Sequence, residues 1–297
     1  MKNVEEKGKK KSKFLGALYL ASAAIIWGVA CTVGKAALAV MAPMPLLSIR
    51  FAIAFLIFLL FALSRESIKV PLREIPLLAL VGLIGFPLSI GAQFIGTDLT
   101  NASLASIVTA TSPVLIGIFA WMLLKEPMGA RKWAALGTAI FGMILLAGLP
   151  VLQGRIDGKG ILFLCLAALT WALYTVLGKK AALGHSPLVV QVYAMGFGLL
   201  GTIPFGILGW RPLPPPSLSL FAAIFYLSVL STALAFYLWN LGFTMLSSGT
   251  GALFFFLQPL VGVFVAWLAL GEKLTIPQLL GSLAVLVGIF IALGTEK

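Results

Sequence analysis

The sequence is poor in charged side chains, and this scarcity excludes an ordinary soluble domain. Asp, Glu, Lys and Arg make up 10% of the 297 residues, whereas hydrophobic residues make up 61%. Soluble domains carry about a quarter charged residues. A soluble core cannot hide so much apolar surface, but a lipid bilayer can. The composition therefore predicts an integral membrane protein.

Acidic residues, histidine and cysteine are also scarce, which argues against an enzyme or a metal site. The chain has nine acids, one histidine (His185) and two cysteines (Cys31 and Cys165). Catalysis inside a membrane needs a constellation of His, Asp, Glu, Ser or Lys side chains, and none has suitable spacing. We therefore predict no catalytic residue, cofactor, metal or disulfide. Both cysteines are expected to be buried small hydrophobes, and His185 to be exposed in a loop.

Apolar runs bounded by charge, proline or glycine occur ten times and predict ten transmembrane helices. They are continuous and lack the alternation of a barrel strand, so helices are the only sensible choice. The sequence thus predicts an all-α integral membrane protein. The approximate limits of the spans are 14–38, 46–64, 75–96, 100–124, 131–149, 159–179, 188–209, 218–242, 249–270 and 275–293.

The distribution of lysine and arginine predicts a multi-pass protein of the plasma membrane with both termini in the cytoplasm. Six lysines lie in residues 1–13, and most other loop cations fall on the same side of the predicted spans. Cytoplasmic loops are enriched in these residues. This distribution also explains the net charge of +12, so no nucleic-acid partner is predicted.

Corresponding residues recur in order in the two halves and predict an internal repeat. Trp27 and Trp171 are 144 residues apart, and Pro113 and Pro259 are 146 apart. Each half holds five spans, an odd number, so the second half enters the membrane from the opposite side. Two inverted five-helix repeats are therefore predicted, an arrangement that many transporters use. The predicted units are a basic cytoplasmic tail at 1–13, a first repeat at 14–149 and a second repeat at 150–297.

Several short motifs stand out in the sequence. They are Trp27-Gly28 with Lys35, Arg50, Asn101-Ala102-Ser103, Ser112-Pro113-Val114, Leu124-Lys125-Glu126-Pro127, Gln258-Pro259-Leu260 and Leu270-Gly271-Glu272-Lys273. Together they resemble the motifs of EamA-type members of the drug/metabolite transporter superfamily. The resemblance implies ten helices, cytoplasmic termini, export or exchange of amino acids and similar metabolites, and a central cavity lined by spans 1, 3, 4, 6, 8 and 9.

Arg50 is the most informative charge within a span, and two interpretations of it stay open. It is either a group at the outer mouth that faces a carboxylate, or a snorkelling or helix-bridging cation. Asp98 is a plausible counter-ion of Arg50 or of Lys35. Val192 stands where the repeat would place a second Arg50, so a cavity reached by Arg50 would be electrically asymmetric.

Aromatic and proline residues in the middle of the spans supply the other candidates. Mid-span tryptophans either wall the cavity or pack between helices. Prolines free a backbone carbonyl, so Pro87, Pro113 and Pro259 are candidates for helix breaks and gating. The full set of candidate pathway residues is Trp27, Arg50, Gln93, Thr109, Thr111, Ser112, Trp171, Tyr174, Tyr237, Asn240 and Gln258.

The absence of a convincing buried acid bears on the mechanism. Proton-coupled transporters commonly carry a titratable group in the pathway. We therefore predict alternating access for neutral or zwitterionic small molecules, without a proton-coupling acid. The alternative is a proton-coupled multidrug exporter of lipophilic cations, which the mid-span tryptophans favour. The predicted partners are the substrate and the lipid bilayer, and the oligomeric state, including a monomer, stays open.

Overall fold

The computed structural model describes residues 2–100, 102–147, 158–209, 217–270 and 275–296, and within these ranges the chain is helical and contains no strand. The prediction of an all-α protein is therefore confirmed for this part of the chain. The predicted boundary between the two repeats falls in residues 148–157, outside the described ranges. The motif residues Asn101 and 271–273 also lie outside the described ranges. The side chains of Cys31 and Lys35 are not described either.

Fourteen α-helices and several short π- and 3-10 helices make up the described chain. In chain order they are α1 (Lys2–Leu38), α2 (Pro43–Arg65), a 3-10 turn (Leu72–Glu74), α3 (Ile75–Leu83), a π-helix (Ile84–Ile90), α4 (Gly91–Leu99), α5 (Ala102–Thr109), α6 (Ser112–Phe119), a π-helix (Ala120–Leu124), α7 (Ala130–Ala147), α8 (Gly158–Ala181), α9 (Pro187–Leu208), α10 (Leu218–Phe225), a π-helix (Tyr226–Leu234), α11 (Ala235–Met245), α12 (Ser248–Leu253), a 3-10 turn (Phe254–Phe256), α13 (Leu257–Leu270) and α14 (Ile276–Leu293).

Eight helical stretches of the described chain are long and apolar enough to cross a membrane. A further apolar helix, Ser112–Leu124, is shorter, and α7 is not among the eight. Their outer faces carry large apolar side chains such as Phe61, Leu208, Leu218 and Phe290, all exposed. An apolar exterior of this extent suits lipid rather than water. The eight stretches are Ser12–Leu38, Pro43–Arg65, Leu72–Leu99, Gly158–Ala181, Pro187–Leu208, Leu218–Met245, Ser248–Val265 and Ile276–Leu293.

Local signals in the sequence set where several helices begin. Ser186 precedes α9, and its hydroxyl accepts a hydrogen bond from the backbone N–H of Val189. Thr275 precedes α14 and forms a reciprocal capping box with Gln278. In both helices a proline occupies the first or second position, where its missing N–H costs nothing. These caps satisfy donors that would otherwise be orphaned at the helix ends.

Pro113 coincides with a break between two helices. α5 ends at Thr109 and α6 begins at Ser112. Because Pro113 has no N–H, it cannot donate to the carbonyl of Thr109 four residues earlier. The hydroxyl of Ser112 donates to that carbonyl at 2.7 Å instead. The freed acceptor is therefore satisfied inside the protein, and the helix can break without exposing it to lipid.

Two longer π-helices interrupt the stretches Leu72–Leu99 and Leu218–Met245. Pro87 lies within the first of them, Ile84–Ile90. In the second, Tyr226–Leu234, the Thr232 hydroxyl donates to the carbonyl of Leu227 at 2.6 Å. Such widened turns reposition side chains inside a helix and are frequent at functional sites.

Glycines let two pairs of helices approach closely. Gly16 of α1 meets Gly242 of α11: a Cβ added at either would lie 3.5 Å or less from the other's carbonyl oxygen. Gly96 of α4 meets Gly160 of α8 in the same way. Small residues at such crossings are how membrane helices gain close packing. These contacts tie α1 to α11 and α4 to α8.

The helices α7 and α14 pack on each other through a third glycine contact. A Cβ added at Gly142 would lie 2.6 Å from the carbonyl oxygen of Gly281, and the reverse holds as well. Farther along, Gly288 meets Ala135 and Ala139. Substitution of these glycines would therefore force the two helices apart.

The structure overturns the expectation for Cys165. The cysteine lies on α8 with its side chain exposed and free, whereas we predicted a buried residue. Its neighbour Leu164 is fully buried and Leu166 is exposed. An apolar run alone does not show which face of a helix meets lipid, so burial at this position was decided by packing.

Candidate solute site

Five aromatic side chains meet in the middle of the bundle and form the central aromatic cluster. They are Trp27, Trp171, Tyr174, Phe236 and Trp239. The ring centroids of Trp27 lie 5.5 Å from Trp171 and 5.2 Å from both Phe236 and Trp239. Those of Trp171 and Tyr174 are 5.3 Å apart. Such distances and tilted or edge-to-face angles are the favoured geometry of aromatic pairs.

Three helices bring this cluster together. α1 supplies Trp27, α8 supplies Trp171 and Tyr174, and α11 supplies Phe236 and Trp239. Each pair is spaced by three residues, so both rings project from one helix face. Trp27 and Trp171, which correspond in the two halves of the sequence, contact each other directly. Trp239 is fully buried, and Trp27 and Trp171 are almost so.

A polar network borders the central aromatic cluster. The Asn240 amide nitrogen lies 2.9 Å from the Tyr174 hydroxyl, 3.0 Å from Gln191 Oε1 and 2.8 Å from the Phe236 carbonyl, so its two N–H groups are shared among three acceptors. The Tyr174 hydroxyl also donates to Gln191 Oε1, at 3.4 Å. The carbonyl of Phe236 can only accept, so it fixes which atom of the Asn240 amide is nitrogen, and Gln191 must then present its oxygen.

Several buried donors next to this network have no hydrogen-bond partner among the described residues. They are the indole nitrogens of Trp171 and Trp239 and the amide nitrogen of Gln191. A buried polar group without a partner is costly, and in a native protein it calls for an explanation. All three atoms are donors, so the group that would satisfy them is an acceptor.

Arg50 of α2 is buried beside this region. Its Nε and Nη2 atoms lie 3.3 and 3.2 Å from the hydroxyl oxygen of Thr232. No described carboxylate lies within ion-pair distance of its guanidinium, and Asp98, the suggested counter-ion, is exposed. The preceding residue, Ser231, accepts a hydrogen bond from the Trp27 indole at 2.9 Å. Arg50 and Trp27 therefore dock on consecutive residues of one π-helix.

Four other predicted pathway residues do not join the central aromatic cluster through any contact that the structure shows. Gln93 and Thr111 are exposed. Thr109 is buried and its hydroxyl donates to the Ala105 carbonyl, whereas Ser112 serves the Pro113 break described above. The hydroxyls of Thr109, Thr111 and Ser112 donate to backbone carbonyls three or four residues earlier in the chain.

The remaining predicted residues lie on α11 and α13. Tyr237 is half-buried and lies within the electrostatic reach of Arg65 and Glu66 at the end of α2. Gln258 is also half-buried, and its backbone carbonyl faces Gly28 of α1. A Cβ added at Gly28 would lie 2.7 Å from that carbonyl oxygen. Pro259 is half-buried and follows the 3-10 turn Phe254–Phe256.

Paired charges close one end of the bundle. This terminal ionic cluster consists of Lys13, Glu126, Lys132, Lys179 and Glu296. Lys179 pairs with Glu126 at 2.7 Å, and Lys132 with Glu296 at 3.5 Å. The Lys13 ammonium donates to the backbone carbonyl of Glu296 at 3.0 Å. The cluster thereby links the start of the bundle to its last helix.

The loop before α12 lies inside the terminal ionic cluster. Glu296 accepts hydrogen bonds from the hydroxyls of Ser247 and Thr250 and from the Ser247 N–H. Burial alone would raise the pKa of this carboxyl group, but these hydrogen bonds and the charge of Lys132 lower it below its ordinary value. Glu296 is therefore an anion at neutral pH.

Two loop residues bond to distant segments of the chain. The Glu126 carboxylate accepts the N–H of Ser248 at 2.6 Å and so caps α12. His185 was predicted to be exposed, but its ring is mostly buried and bonds to Glu74. In both cases a distant segment supplies the partner, which loop position alone does not reveal.

The matched segments of the chain decide its family. The profile of the EamA-like transporter family matches residues 14–148 and again residues 158–294. The chain belongs to the EamA-like transporter family. It is thus a multi-pass membrane transporter and not an enzyme, as its sequence predicted. The central aromatic cluster combines Trp27 from the first matched segment with four rings from the second.

Similar proteins carry the same broad description. An uncharacterized transporter of Bacillus subtilis (strain 168), YvbV, is 30% identical over 95% of this chain and 92% of its own length. An uncharacterized transporter of Archaeoglobus fulgidus is 27% identical over 92% and 96%. One crystal structure superposes with a TM-score of 0.79 at 19% identity and covers 95% of this chain and 96% of its own. That likeness shows a shared fold.

Sequence reasoning missed three residues of the site: Gln191, Phe236 and Trp239. Gln191 is one of the few polar residues in a largely apolar helix, a signal that was available in the sequence. Phe236 and Trp239 follow the three-residue spacing that Trp171 and Tyr174 also show. The chain contains 21 phenylalanines and seven tryptophans, so spacing alone could not single these two out.

Proposed function

We propose that this transporter exports or exchanges small neutral or zwitterionic metabolites, such as amino acids, by alternating access. The observation that carries the proposal is the composition of the central site. Aromatic rings and the uncharged groups of Tyr174, Gln191 and Asn240 dominate it, and among the described residues no carboxylate contacts it. Such a site offers hydrogen bonds and ring faces to a solute of no net charge.

The proposed architecture is ten crossings in two inverted repeats, in the plasma membrane, with both termini in the cytoplasm. The glycine contacts support it, because a shift of 144 to 146 residues carries Gly16 and Gly242 onto Gly160 and Gly96. The same shift carries Ile84–Ile90 onto the π-helix Tyr226–Leu234. Equivalent contacts and equivalent interruptions recur in both halves, as a two-fold relation requires.

The terminal ionic cluster supplies the closed side of the proposed cycle. Its charges join α1, α8 and the loop before α12 on the side that we assign to the cytoplasm. The side chains of these ion pairs are only 11–22% exposed, so the pairs separate only where opening lets water reach the freed charges. In the alternating cycle they separate when the central site opens inward, and they pair when it opens outward.

Uptake into proteoliposomes tests the proposal. Vesicles that hold the purified chain and are loaded with an unlabelled amino acid mixture should take up labelled amino acid by counterflow. Vesicles without the protein are the control. Uptake driven by an imposed pH gradient with no solute gradient would contradict the uncoupled mechanism, because it would require a proton-carrying group.

The tryptophan content of the site favours a second candidate, a proton-coupled exporter of lipophilic cations. Indole faces attract cations, and Trp27 and Trp171 meet at the centre. The buried cation Arg50 nearby opposes this candidate. Cells that express the chain would then resist quaternary ammonium compounds, whereas the first proposal expects no change in resistance and a change in exported amino acids.

A further inference from the structure

We infer that Arg50 binds a carboxylate of the transported solute, so that the substrates are carboxylate-bearing molecules. The inference rests on the proposed function and makes its substrate class narrower. It begins from an imbalance: a guanidinium that is only 9% exposed has one described partner, the neutral hydroxyl of Thr232. A buried cation without a counter-charge is unfavourable in a membrane protein and marks a functional position.

The partner of Arg50 leaves most of its binding capacity unused. A guanidinium has five N–H donors and favours the two oxygens of a carboxylate. Here Nε and Nη2 share a single oxygen, and that hydroxyl spends its own hydrogen on the Leu227 carbonyl. Thr232 therefore holds the planar guanidinium of Arg50 in place but does not neutralise its charge.

The surroundings of the central aromatic cluster also call for an acceptor. The unpartnered atoms of Trp171, Trp239 and Gln191 are all N–H donors, and a carboxylate is acceptor-only. Arg50 and Trp27 dock on Thr232 and Ser231, one residue apart, so the cation and the rings belong to one region. A zwitterion would place its carboxylate at Arg50 and its ammonium against the ring faces.

The second half of the chain does not duplicate this cation. Val192 aligns with Arg50 when Pro45 is matched to Pro187, a local shift of 142 residues, and it is apolar and buried. A single guanidinium matches a single carboxylate, so amino acids with one carboxylate should bind better than those with two, whose second charge has no described partner. The two ends of the pathway therefore differ in charge even though the helices repeat.

A matched ligand series on the purified full-length chain tests the inference. The probes are L-leucine, L-leucinamide, 4-methylpentanoate and isopentylamine, with the corresponding phenylalanine series, and binding is read by thermal stabilisation and by competition in proteoliposome uptake. Both carboxylate-bearing members of a series should bind, and the amide and the amine should bind at least about thirty-fold more weakly, since an unpaired buried charge is strongly penalised. Equal binding of acid and amide would overturn the inference.

Four variants separate recognition from structure. Arg50→Gln should lower the affinity for the acids about thirty-fold or more and leave the amide within twofold. Arg50→Lys should recover part of the loss, because it keeps the charge but not the fork. Thr232→Val removes the only described partner of Arg50 and should keep the preference for acids. Arg65→Gln, on the same helix but exposed, should behave as wild type.

The outcomes distinguish this inference from the proposed function. Transport of amino acids that is insensitive to amidation and to Arg50→Gln would overturn the carboxylate role and leave the transporter proposal standing. Binding of 4-methylpentanoate that Arg50→Gln abolishes, without amino acid transport, would support the carboxylate role and overturn the amino acid proposal. If Arg50→Gln does not fold, the wild-type series and Arg50→Lys still decide the question.

Discussion

The centre of the bundle and its charged end are held together by opposite means. The central aromatic cluster relies on rings and uncharged amides, whereas the terminal ionic cluster relies on lysine–glutamate pairs such as Lys179 and Glu126. Rings and amides present a fixed, dry surface to a solute. Partly buried ion pairs can separate when a conformational change lets water reach both charges. From this difference we expect solute contact and closure to depend on separate regions, which substitutions should be able to disturb one at a time.

The largest expected loss of stability comes from a cavity in the central aromatic cluster. Trp239→Ala should lower the free energy of unfolding by about 3–5 kcal/mol, because the side chain is fully buried. Unfolding in detergent measures the loss, and solute uptake should fall with it. The matched control is Trp121→Ala, whose ring is 61% exposed; an equal loss there would contradict the prediction.

Adding a methyl group against the Tyr174 ring should lower the stability by a smaller amount. Gly85→Ala should destabilise the protein by about 1–3 kcal/mol, because the added Cβ would overlap the Tyr174 ring. The same measurement on Gly137→Ala provides the control, since a Cβ there meets nothing within 4 Å. If both variants melt alike, the tight approach of the π-helix Ile84–Ile90 to Tyr174 is not a feature of the protein in membranes.

Removing a single hydroxyl group should separate function from stability. Tyr174→Phe and Tyr193→Phe each lose one hydrogen-bonding hydroxyl, with an expected cost of about 1 kcal/mol in both. Tyr174 bonds within the central network, whereas Tyr193 bonds to the Ile68 carbonyl at the bundle end. Only Tyr174→Phe should weaken solute binding in competition assays. A similar loss of binding in Tyr193→Phe would remove the distinction between the two regions.

At the charged end the effect should be on opening rather than on binding. Glu126→Gln breaks the pair with Lys179 and weakens the cap on Ser248, with an expected cost of about 1 kcal/mol. A cysteine placed at Ser248 should then react faster with a water-soluble maleimide, while solute affinity stays unchanged. Glu66→Gln, an exposed acid that bonds Ser186, is the control and should leave the labelling rate as it is.

The smallest effect is a pH dependence of the terminal ionic cluster. The pKa of Glu296 is lowered in the folded state, so its stabilising contribution is complete above the ordinary glutamate pKa of about 4.3. That contribution is lost as the pH falls through the lowered value. The protection factors of the amides of residues 246–253, which correct the exchange rates for their intrinsic pH dependence, should therefore be constant from about pH 5 to 8 and fall only in more acidic solution. Glu296→Gln should show lower protection factors than wild type throughout that range, and a wild-type transition near neutrality would contradict the assignment.

The sequence allowed a good part of the site to be anticipated. Trp27, Trp171, Tyr174 and Asn240 were selected as mid-span or polar residues, and the structure brings them together. Polar and aromatic groups away from span ends are costly or unusual in lipid, so they are visible against an apolar background. Arg50 was visible for the same reason.

Other members of the site depended on helix rotation, which composition does not encode. Gln93 and Thr111 are polar, like the members of the central network, yet both are exposed. Trp239 resembles every other tryptophan in the sequence until α11 packs on α1. A turn of a helix by one residue moves a side chain by about 100°, and apolar faces toward lipid and toward protein look alike in sequence.

By itself the sequence determined that this chain is helical and membrane-embedded, because few charges and long apolar runs leave helices as the way to satisfy the backbone in lipid. The sequence also showed directly that motifs recur in its two halves. Only the tertiary structure decided which side chains meet. It placed Gln191 against Asn240 and Tyr174, used Glu126 to cap α12, and gave Arg50 the Thr232 hydroxyl as its one partner among the described residues. Those choices follow from close contacts between helices distant in sequence, such as Gly16 on Gly242, whose partners no local pattern specifies.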